Sequence, residues 1–469
     1  MTISVPADVL SGLTSLVGEG GWSDDPDRLA PKLIEWRDRW SGTTPLLLLP
    51  RTTAEVAAIV GLCAESRVAI TPQGGNTGLV GGQIPQGEIL LSLERMRAIR
   101  DLDQMDDVIV AEAGVTLAAV HEAAATASRR FPLSVASEGS ATIGGLISTN
   151  AGGTQVLRYG TMREQVLGLE AVLPNGDIWN GLKRLRKDNT GYDLKQLLIG
   201  AEGTLGVVTA ASLKLRPLLP SRAVAIAGLK SAQDAIALLA RAKAETGGAL
   251  EAFELMSRMG MNLVMKNIPD QREPLAAEHP WYVLIEASSG EPGAAEASME
   301  RLLTSALEAD LIQDVVVAQS AAQMSALWAL RENQSMGQKA EGVVWKHDVS
   351  VPVSSIADFI DAASADLLRR WPDVRVAAFG HVGDGNVHFD VLAGAGSDQA
   401  VHAARRDEGA RVVHDRVAAL GGSISAEHGL GSMKTEEALH YKSPVEVAAQ
   451  RAVRLALDPH RIMNPRVLF

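Results

Sequence analysis

The chain has 469 residues, which is enough for two or three domains with large cores. Apolar residues make up 46% of it and charged residues 21%, a composition typical of soluble globular proteins. The formal net charge of −12 argues against a nucleic-acid partner, because phosphate binding needs a basic field. The single cysteine excludes a disulfide framework, a cysteine-rich zinc site and an iron–sulfur cluster.

The N-terminal sequence indicates neither export nor membrane insertion. Residues 1–17 contain Asp8 and no basic run, so we expect no secretory signal. No apolar run approaches the ~20 residues that a membrane-spanning helix needs. We therefore expect a cytoplasmic protein without a transmembrane segment. A surface helix is expected near residues 29–40.

The first regular pattern is a helix followed by a strand. Thr52 and Glu55 have the spacing of a capping box, and apolar residues follow at helical spacing as far as Cys63. Cys63 is therefore expected to be an inert core residue. Residues 68–70 predict a strand that runs directly into a glycine-rich segment, residues 72–82.

Three glycine-rich segments occupy residues 72–82, 137–153 and 200–208. Glycines that follow a strand let the backbone approach a ligand and point its N–H groups at an anion. The first segment has neither the ending of a P-loop nor the spacing of a Rossmann fingerprint, and alone it is equally explained by a flexible turn. Three such segments together suit a long ligand with several polar groups, such as a dinucleotide. Pro217 and Pro220 mark the end of this region.

The next region contains a repeated strand–helix–strand pattern. Two such units with short connections predict a ferredoxin-like antiparallel sheet. The predicted elements are residues 223–229, 231–244 and 249–256 in the first unit, and 281–287, 292–309 and 311–317 in the second.

Two cations then occur in apolar surroundings. Residues 320–340 predict an amphipathic helix with Arg331 on its apolar face and Ser335 one turn beyond. Such an Arg either pairs with an anion or extends to the helix edge. Lys346 lies inside the apolar strand predicted for residues 343–351, where it either faces an anion or marks an edge strand.

A predicted hairpin at residues 380–390 brings two histidines together. Asp384 and Gly385 are typical turn residues, and apolar residues lie on both sides of them. The hairpin would place His381 and His388 on opposite arms and close to each other. Two imidazoles on a rigid turn form half of a divalent metal site, unless they are ordinary core or surface residues.

The missing metal ligand should be a carboxylate. Glu427 offers one, and a third histidine, His428, stands beside it. Two histidines and one carboxylate suit Zn²⁺, with Mn²⁺ or Fe²⁺ as alternatives in the same set of ligands.

Together these motifs resemble the FAD-binding oxidoreductases of the vanillyl-alcohol oxidase/PCMH superfamily. The resemblance covers nearly the whole chain from about residue 43. It points to the branch that oxidises D-2-hydroxy acids, and most closely to D-2-hydroxyglutarate dehydrogenases. The segments that carry it are residues 72–82, 137–153, 187–193, 203–208, 380–388, 427–431 and 464–465.

The resemblance implies an α+β fold. It comprises a PCMH-type FAD-binding domain of two α/β subdomains, a cap domain with a ferredoxin-like antiparallel sheet, and a C-terminal helical segment that returns to the flavin domain. The implied bounds are residues 1–42 for an N-terminal segment, 43–220 for the flavin domain, 221–425 for the cap and 426–469 for the C-terminal segment.

The resemblance also implies FAD as the cofactor. In the family, backbone N–H groups of the first two glycine-rich loops hold the pyrophosphate, and the third loop packs near the flavin and adenine. These loops offer no His or Cys for a covalent link, so we expect non-covalent FAD, with Tyr159 packing beside it. The expected cofactor contacts are Pro72, Gly74, Gly75, Asn76, Thr77, Gly78, Leu79, Ser137, Glu138, Gly139, Thr142, Ile143, Gly144, Gly145, Asn150, Gly152, Gly153, Tyr159, Gly160, Glu202, Gly203, Gly206, Val208 and Asn464.

For the substrate, the resemblance implies that Arg331 and Ser335 bind the C1 carboxylate and that Lys346 reaches a second carboxylate. This pattern favours D-2-hydroxyglutarate. The family commonly has Asn where this chain has Asp390, and an ionised Asp would repel a diacid unless it is offset. D-lactate, D-malate and glycolate therefore stay open as alternative substrates.

The implied mechanism uses a cation bound by His381, His388 and Glu427 to lower the pKa of the substrate hydroxyl. His428 then accepts the hydroxyl proton, and the C2 hydrogen passes as hydride to flavin N5. Two alternative functions fit these residues less well. An aryl-alcohol oxidase of the same superfamily needs no such metal ligands, and a non-catalytic flavoprotein needs no general base. The resemblance further suggests an electron-transferring flavoprotein or a quinone as acceptor, and a homodimer.

Overall fold

The computed structural model describes residues 5–36 and 39–468. The chain forms two compact units. The first contains Met1–Gly152, Gly160–Pro217 and Glu427–Phe469, and the second contains Gly153–Tyr159 and Leu218–Ala426. The short piece Gly153–Tyr159 thus belongs to the second unit, although the sequence suggests one continuous flavin domain there.

Helices and strands are numbered in chain order. As far as residue 217 they are α1 (Ala7–Val17), β1 (Trp22–Ser23), α2 (Pro26–Leu33), β2 (Leu47–Leu48), α3 (Thr53–Ser66), β3 (Ile70–Gln73), β4 (Ile89–Ser92), β5 (Ile99–Asp103), β6 (Val108–Glu112), α4 (Leu117–Thr126), β7 (Arg129–Arg130), α5 (Ile143–Ser148), α6 (Val156–Tyr159), α7 (Met162–Gln165), β8 (Val166–Val172), β9 (Ile178–Gly181), α8 (Lys195–Leu198), β10 (Val207–Lys214) and β11 (Arg216–Pro217).

The remaining elements begin with the repeated strand–helix–strand region. They are β12 (Ser221–Leu229), α9 (Ala232–Glu245), β13 (Leu250–Ser257), α10 (Arg258–Asn267), β14 (Trp281–Ser289), α11 (Ala294–Glu308), β15 (Asp314–Val317), α12 (Ala321–Glu332), α13 (Gln334–Lys339), β16 (Val344–Ser350), a 3-10 helix (Val353–Ser355), α14 (Ile356–Arg370), β17 (Arg375–Gly380), β18 (Asn386–Leu392), α15 (Gln399–Ala404), α16 (Arg406–Ala419), α17 (Thr435–Tyr441) and α18 (Pro444–Leu457).

The first unit contains two principal sheets. One has the order β1-β2-β4-β3, with parallel pairing among β2, β4 and β3. The other is antiparallel with the order β5-β6-β10-β8-β9. The predicted apolar stripe of α3 is buried in a hydrophobic core of the first unit. At the start of this helix, the Thr52 side chain accepts the N–H of Glu55 at 3.1 Å. Burial raises the pKa of Cys63 to about 12, which agrees with an inert core thiol.

The C-terminal segment returns to the first unit through backbone hydrogen bonds. The N–H of Ile70 in β3 donates to Ile462 O at 2.8 Å, and the N–H of Asn464 donates to Ile70 O at 2.8 Å. The buried guanidinium of Arg454 in α18 donates to the carbonyls of Met463 and Val467. The predicted C-terminal return to the flavin domain is therefore confirmed.

The second unit is built on one seven-stranded antiparallel sheet with the order β15-β12-β14-β13-β17-β18-β16. The four strands β15-β12-β14-β13 have the order of a ferredoxin-like sheet, as the repeated pattern predicts. The predicted hairpin is formed by β17 and β18, with Gly385 in the turn at a φ of +100°. The hairpin and β16 extend the ferredoxin-like sheet on the side of β13.

Two predicted helices differ from the structure. The helix expected over residues 320–340 is interrupted at Asn333, whose side chain donates to Ala329 O at 2.9 Å. Asn and Ser side chains that bond nearby carbonyls compete with the helical backbone. The helix expected near residues 29–40 ends at Leu33, and residues 37 and 38 of that prediction lie outside the described part. The helices formed by residues 5–36 and 39–468 include none with the length and apolar character of a membrane span.

Candidate active site

The first two glycine-rich loops of the first unit approach each other more closely than side chains would allow. A Cβ on Gly75 would lie 1.8 Å from the carbonyl oxygen of Ser140, and a Cβ on Gly74 would lie 2.4 Å from Thr142 Oγ1. Real Cβ atoms do not make such contacts. The glycines are therefore needed for the loops to meet, and the loops form one cradle of exposed and half-buried backbone.

Several buried polar atoms near this cradle have no hydrogen-bond partner within the described residues. They are Gln73 Oε1 at the end of β3, Thr142 Oγ1 in the second loop, and Asn464 Oδ1 in the C-terminal segment. Buried polar atoms are normally hydrogen-bonded, so each of these is suited to a polar group of a ligand. A cradle of glycines with unsatisfied polar atoms fits a dinucleotide such as FAD.

Two asparagines of these loops use their side chains to hold the backbone. Asn76 has a φ of +55° and donates to the carbonyl of Ile34 at 2.9 Å. Asn150 has a φ of +49°, and its Oδ1 accepts the N–H of Arg163 at 2.9 Å. Asn tolerates this left-handed conformation better than most residues. The side chains of both asparagines thus bind other groups of the protein, and this holds whether or not their backbone groups bind a ligand.

Glu202 of the third loop binds the C-terminal segment of the first unit. Its carboxylate accepts the N–H of Leu430 at 2.9 Å and the N–H of Gly431 at 2.8 Å. Burial raises the pKa of Glu202 to about 7, against the opposing effect of these two N–H groups and of the Lys434 charge. A carboxylate expected to contact the cofactor therefore anchors the segment that begins with Glu427 and His428.

Tyr159 lies in the second unit. Its hydroxyl donates to Glu251 Oε1 at 2.9 Å, and the neighbouring Arg158 also pairs with Glu251. The Tyr159 hydroxyl therefore has a hydrogen-bond partner within the second unit.

The histidine pair is formed by the β17–β18 hairpin. The imidazole centroids of His381 and His388 are 5.8 Å apart, and the N–H of Asp384 in the turn donates to His381 O. Glu427 directly follows Ala426, whose N–H donates to Asp348 O in β16. One ligand atom from each of His381, His388 and Glu427 lies within 4.8 Å of the other two, a geometry that fits a divalent cation.

A buried carboxylate that the sequence analysis missed contacts two of the expected site residues. Glu254 Oε2 accepts from Arg331 Nε at 2.7 Å, and Glu254 Oε1 lies 2.8 Å from His381 Nδ1. Burial acts to raise the pKa of Glu254, but its contacts with His381 and Arg331 outweigh this effect and hold the pKa below its usual value. The Arg331 guanidinium also lies over the ring of Phe379.

Glu254 carries a recognisable sequence signal. It stands between Phe253 and Leu255 in β13, a largely apolar strand whose other polar residues are Glu251 and Ser257. A charged residue in such surroundings is the same signal that singles out Lys346, and it indicates a buried partner for Glu254 as well.

Lys346 lies on β16, the edge strand of the described sheet, and pairs with Asp390 directly opposite on β18. Lys346 Nζ is 3.0 Å from Asp390 Oδ2, and it also lies near Gln338 Oε1 and Ser335 Oγ, at 3.4 and 3.5 Å. Ser335 belongs to α13 and Arg331 to α12, so the two do not share one continuous helix. Asp390 is therefore the ionic partner of Lys346.

His428 lies in the first unit next to Glu427 and is half-buried. It precedes the turn at Gly429, which has a φ of +75°. The Glu202 carboxylate fixes the two residues after that turn, and so restrains the backbone on one side of His428.

Comparison with known proteins identifies both regions of the chain. Residues 44–181 match the family described as "FAD binding domain", and residues 218–468 match "FAD linked oxidases, C-terminal domain". The chain is 38% identical over 464 residues to "D-2-hydroxyglutarate dehydrogenase, mitochondrial" of Arabidopsis thaliana, covering 98% of this chain and 81% of the relative. It is also 38% identical over 454 residues to "Putative D-lactate dehydrogenase C713.03, mitochondrial" of Schizosaccharomyces pombe, covering 94% and 85%.

A solved structure supports the fold. The chain aligns with p-cresol methylhydroxylase at a TM-score of 0.77 and 15% identity, covering 98% of this chain and 96% of the other. The two matched domains define an FAD-dependent oxidoreductase of PCMH-type architecture. More particularly, the chain belongs to the FAD-linked oxidase family.

Replacing Gly75 with Ala should disrupt the cradle. The new methyl group would collide with Ser140 O, which lies 1.8 Å from the Cβ position, so the two loops must separate. We expect a destabilisation of about 1–3 kcal/mol, as for an overpacked core, and a lower molar ratio of FAD to protein. Thermal unfolding and the flavin-to-protein absorbance ratio measure these effects.

Gly61→Ala is the matched control. Gly61 lies inside α3, and a Cβ there meets no atom within 4 Å. This variant should keep its FAD and gain up to about 1 kcal/mol from the better helix propensity of Ala. Equal FAD content in the Gly75→Ala variant and the wild type would contradict a cradle that depends on this close approach.

Proposed function

We propose that this protein is an FAD- and divalent-metal-dependent dehydrogenase that oxidises D-2-hydroxyglutarate to 2-oxoglutarate. The observation that carries the proposal is the position of Arg331, a buried cation whose Nη2 is 3.3 Å from His381 Nε2. A guanidinium suited to a carboxylate thus stands beside a candidate metal ligand, as a 2-hydroxy acid would need. The names of the relatives at 38% identity support the same substrate class.

The charged side chains would bind the two ends of the substrate. Arg331, with Ser335, binds the C1 carboxylate, and Lys346 binds the carboxylate at the far end. Lys346 and Ser335 lie in one hydrogen-bond network, and this supports a shared polar surface for the substrate. Asp390 belongs to the same network through its bond to Lys346.

The chemistry supplied by bound FAD is acceptance of the C2 hydride, and that supplied by a divalent cation is withdrawal of electron density from the C2 hydroxyl. His381, His388 and Glu427 would hold the cation. An imidazole nitrogen of His428 accepts the hydroxyl proton as general base. Loss of the hydroxyl proton and of the C2 hydride converts the 2-hydroxy acid into the 2-oxo acid.

The remaining parts of the proposal concern cofactor state and partners. FAD is bound non-covalently, and Zn²⁺ is the cation that the His-His-Glu set suits best, with Mn²⁺ and Fe²⁺ as alternatives. The electron acceptor is an electron-transferring flavoprotein or a quinone, and the protein is a homodimer. The proposed location is cytoplasmic, whereas the plant and yeast relatives carry mitochondrial names.

A second candidate substrate is a 2-hydroxy acid with one carboxylate or a shorter chain, such as D-lactate, D-malate or glycolate. The specific observation in its favour is the Lys346–Asp390 pair, because a lysine already neutralised by a buried Asp attracts a second carboxylate less strongly. The S. pombe relative named as a putative D-lactate dehydrogenase supports this alternative.

Anaerobic mixing with single acids tests the substrate and the metal. Flavin bleaching near ~450 nm should be fastest with D-2-hydroxyglutarate among D-2-hydroxyglutarate, D-malate, D-lactate and glycolate. Prior removal of metal with EDTA should abolish it, and Zn²⁺ or Mn²⁺ should restore it. The control is chemical reduction by dithionite, which needs no active-site residue. Bleaching by none of the acids would refute the dehydrogenase, and full activity after metal removal would refute the metal role.

His428→Ala tests the general base. Loss of a positioned base should slow flavin reduction by about 10²–10⁴-fold at saturating substrate, with FAD still bound. His440→Ala is the matched control, since His440 is an exposed histidine of α17. Stopped-flow reduction of both variants is the measurement. An unchanged rate in His428→Ala would remove His428 from the mechanism.

Asp390→Asn separates the two substrate candidates. Without its ionic partner, the Lys346 charge becomes available to a second carboxylate, an effect of about 1 kcal/mol or roughly fivefold. We expect kcat/KM for D-2-hydroxyglutarate to rise by this factor, with the value for D-lactate nearly constant. Steady-state kinetics with both acids measure the change. Equal changes for both acids would mean that Lys346 does not contact the far end of the substrate.

A further inference from the structure

Glu254 is the most buried charge in the neighbourhood of the histidine pair. It lies on β13, and its side chain is 1% exposed. Its two carboxylate oxygens have different partners: Oε1 is 2.8 Å from His381 Nδ1, and Oε2 is 2.7 Å from Arg331 Nε. A single carboxylate therefore contacts both the candidate metal ligand and the candidate substrate cation.

Two contacts of His381 favour one tautomer of its imidazole. An ionised carboxylate only accepts hydrogen bonds, so the hydrogen between Glu254 and His381 must be on Nδ1. A guanidinium only donates, so His381 Nε2, at 3.3 Å from Arg331 Nη2, must carry a lone pair. Both neighbours thus favour the same neutral tautomer. The Nε2 lone pair of this tautomer, which faces Arg331 Nη2 in this structure, is the group that a metal ion needs from a histidine.

We propose that Glu254 is a positioning residue for the reaction. It keeps His381 in the tautomer that can bind a cation through Nε2, and it fixes Arg331 by its Nε so that the end of the guanidinium faces away from the carboxylate. Metal binding at His381 and carboxylate binding at Arg331 therefore depend on one side chain. The inference rests on the proposed function for the roles of His381 and Arg331, and it assigns a new role to Glu254.

The chemistry of a carboxylate is needed here, beyond its shape. A Gln at this position has the same size but offers one acceptor and one donor. If its oxygen faces His381, its NH₂ group faces the Arg331 Nε–H; if it faces Arg331, its NH₂ group faces His381 Nδ1. In the first arrangement, the Gln NH₂ group and the Arg331 Nε–H are two donors that face each other. In the second arrangement, His381 is forced into the tautomer with hydrogen on Nε2. No orientation of Gln satisfies both partners.

The test is Glu254→Gln in the full-length flavoprotein. We expect its Zn²⁺ affinity, measured by competition with a chromophoric chelator, to fall about 10–100-fold, as for lost partners of metal-bound histidines. In the same variant, KM for the 2-hydroxy acid should rise several-fold. The ¹⁵N spectrum of histidine-labelled, metal-free wild type should show His381 with hydrogen on Nδ1, and Glu254→Gln should alter that signal.

Glu286→Gln is the matched control. Glu286 is also a buried carboxylate of the same sheet, on β14, and it pairs with Arg222 and accepts from Trp328 Nε1 on α12. This variant reports the general cost of changing a buried acid, and it should keep its Zn²⁺ affinity. If Glu254→Gln fails to fold, Glu254→Asp replaces it, because a carboxylate one methylene shorter cannot reach both partners and should weaken Zn²⁺ binding by a smaller factor.

The outcomes separate this inference from the proposed function. Wild-type Zn²⁺ affinity in Glu254→Gln, or a wild-type His381 with hydrogen on Nε2, would overturn the role of Glu254 while leaving 2-hydroxy-acid oxidation intact. Absence of oxidation by the wild type would overturn the proposed function. The Zn²⁺ titration and the ¹⁵N spectrum do not depend on turnover, so they would still test the role of Glu254.

Discussion

The register of the seven-stranded sheet is the constraint on which the candidate substrate and metal residues of the second unit depend. Residues directly opposite each other in antiparallel strands share a face, and residues two apart on one strand share it as well. Lys346 lies opposite Asp390, and His388 lies two residues before Asp390. Through Phe379 and Met256, the same face continues to Glu254 on β13. A slip of one residue in any of these strands would turn its polar group to the other face.

The buried residues on the opposite face of the sheet explain why this register is fixed. Trp345 and Phe389 alternate with the polar residues and are fully buried on the other side of the sheet, where Phe389 contacts Phe359 of α14. Their burial fixes the register, since exposing two large aromatic side chains would cost more than any one polar contact on the first face could return. The apolar core of the sheet thus determines the arrangement of the charged residues.

Much of this arrangement is readable from local sequence. The hairpin follows from Asp384 and Gly385, and the ferredoxin-like strand order follows from the repeated strand–helix–strand pattern. The proximity of His381 and His388 needs only the hairpin. These predictions succeed because the signals lie within a few residues, or within one supersecondary unit.

Other features depend on contacts that local sequence does not encode. Glu254 is 127 residues before His381, and the two meet because β17 pairs with β13, a neighbour that no turn or repeat indicates. The pairing of Lys346 with Asp390 likewise needs the β16–β18 register. The break at Asn333 depends on one side chain that bonds a carbonyl in the preceding turn. The charge pattern identifies which residues need partners, but only the sheet order identifies the partners.

The same pairings bear on how an anionic substrate would bind under the proposed function. Arg331 is matched by Glu254 and Lys346 by Asp390, so these four charges sum to zero. Opposite charges this close together offset each other and leave little net field. A divalent cation at His381, His388 and Glu427 would add two positive charges against one carboxylate. The net attraction for a 2-hydroxy acid would then come mainly from the cation, so the metal would contribute to substrate binding as well as to the chemistry at C2.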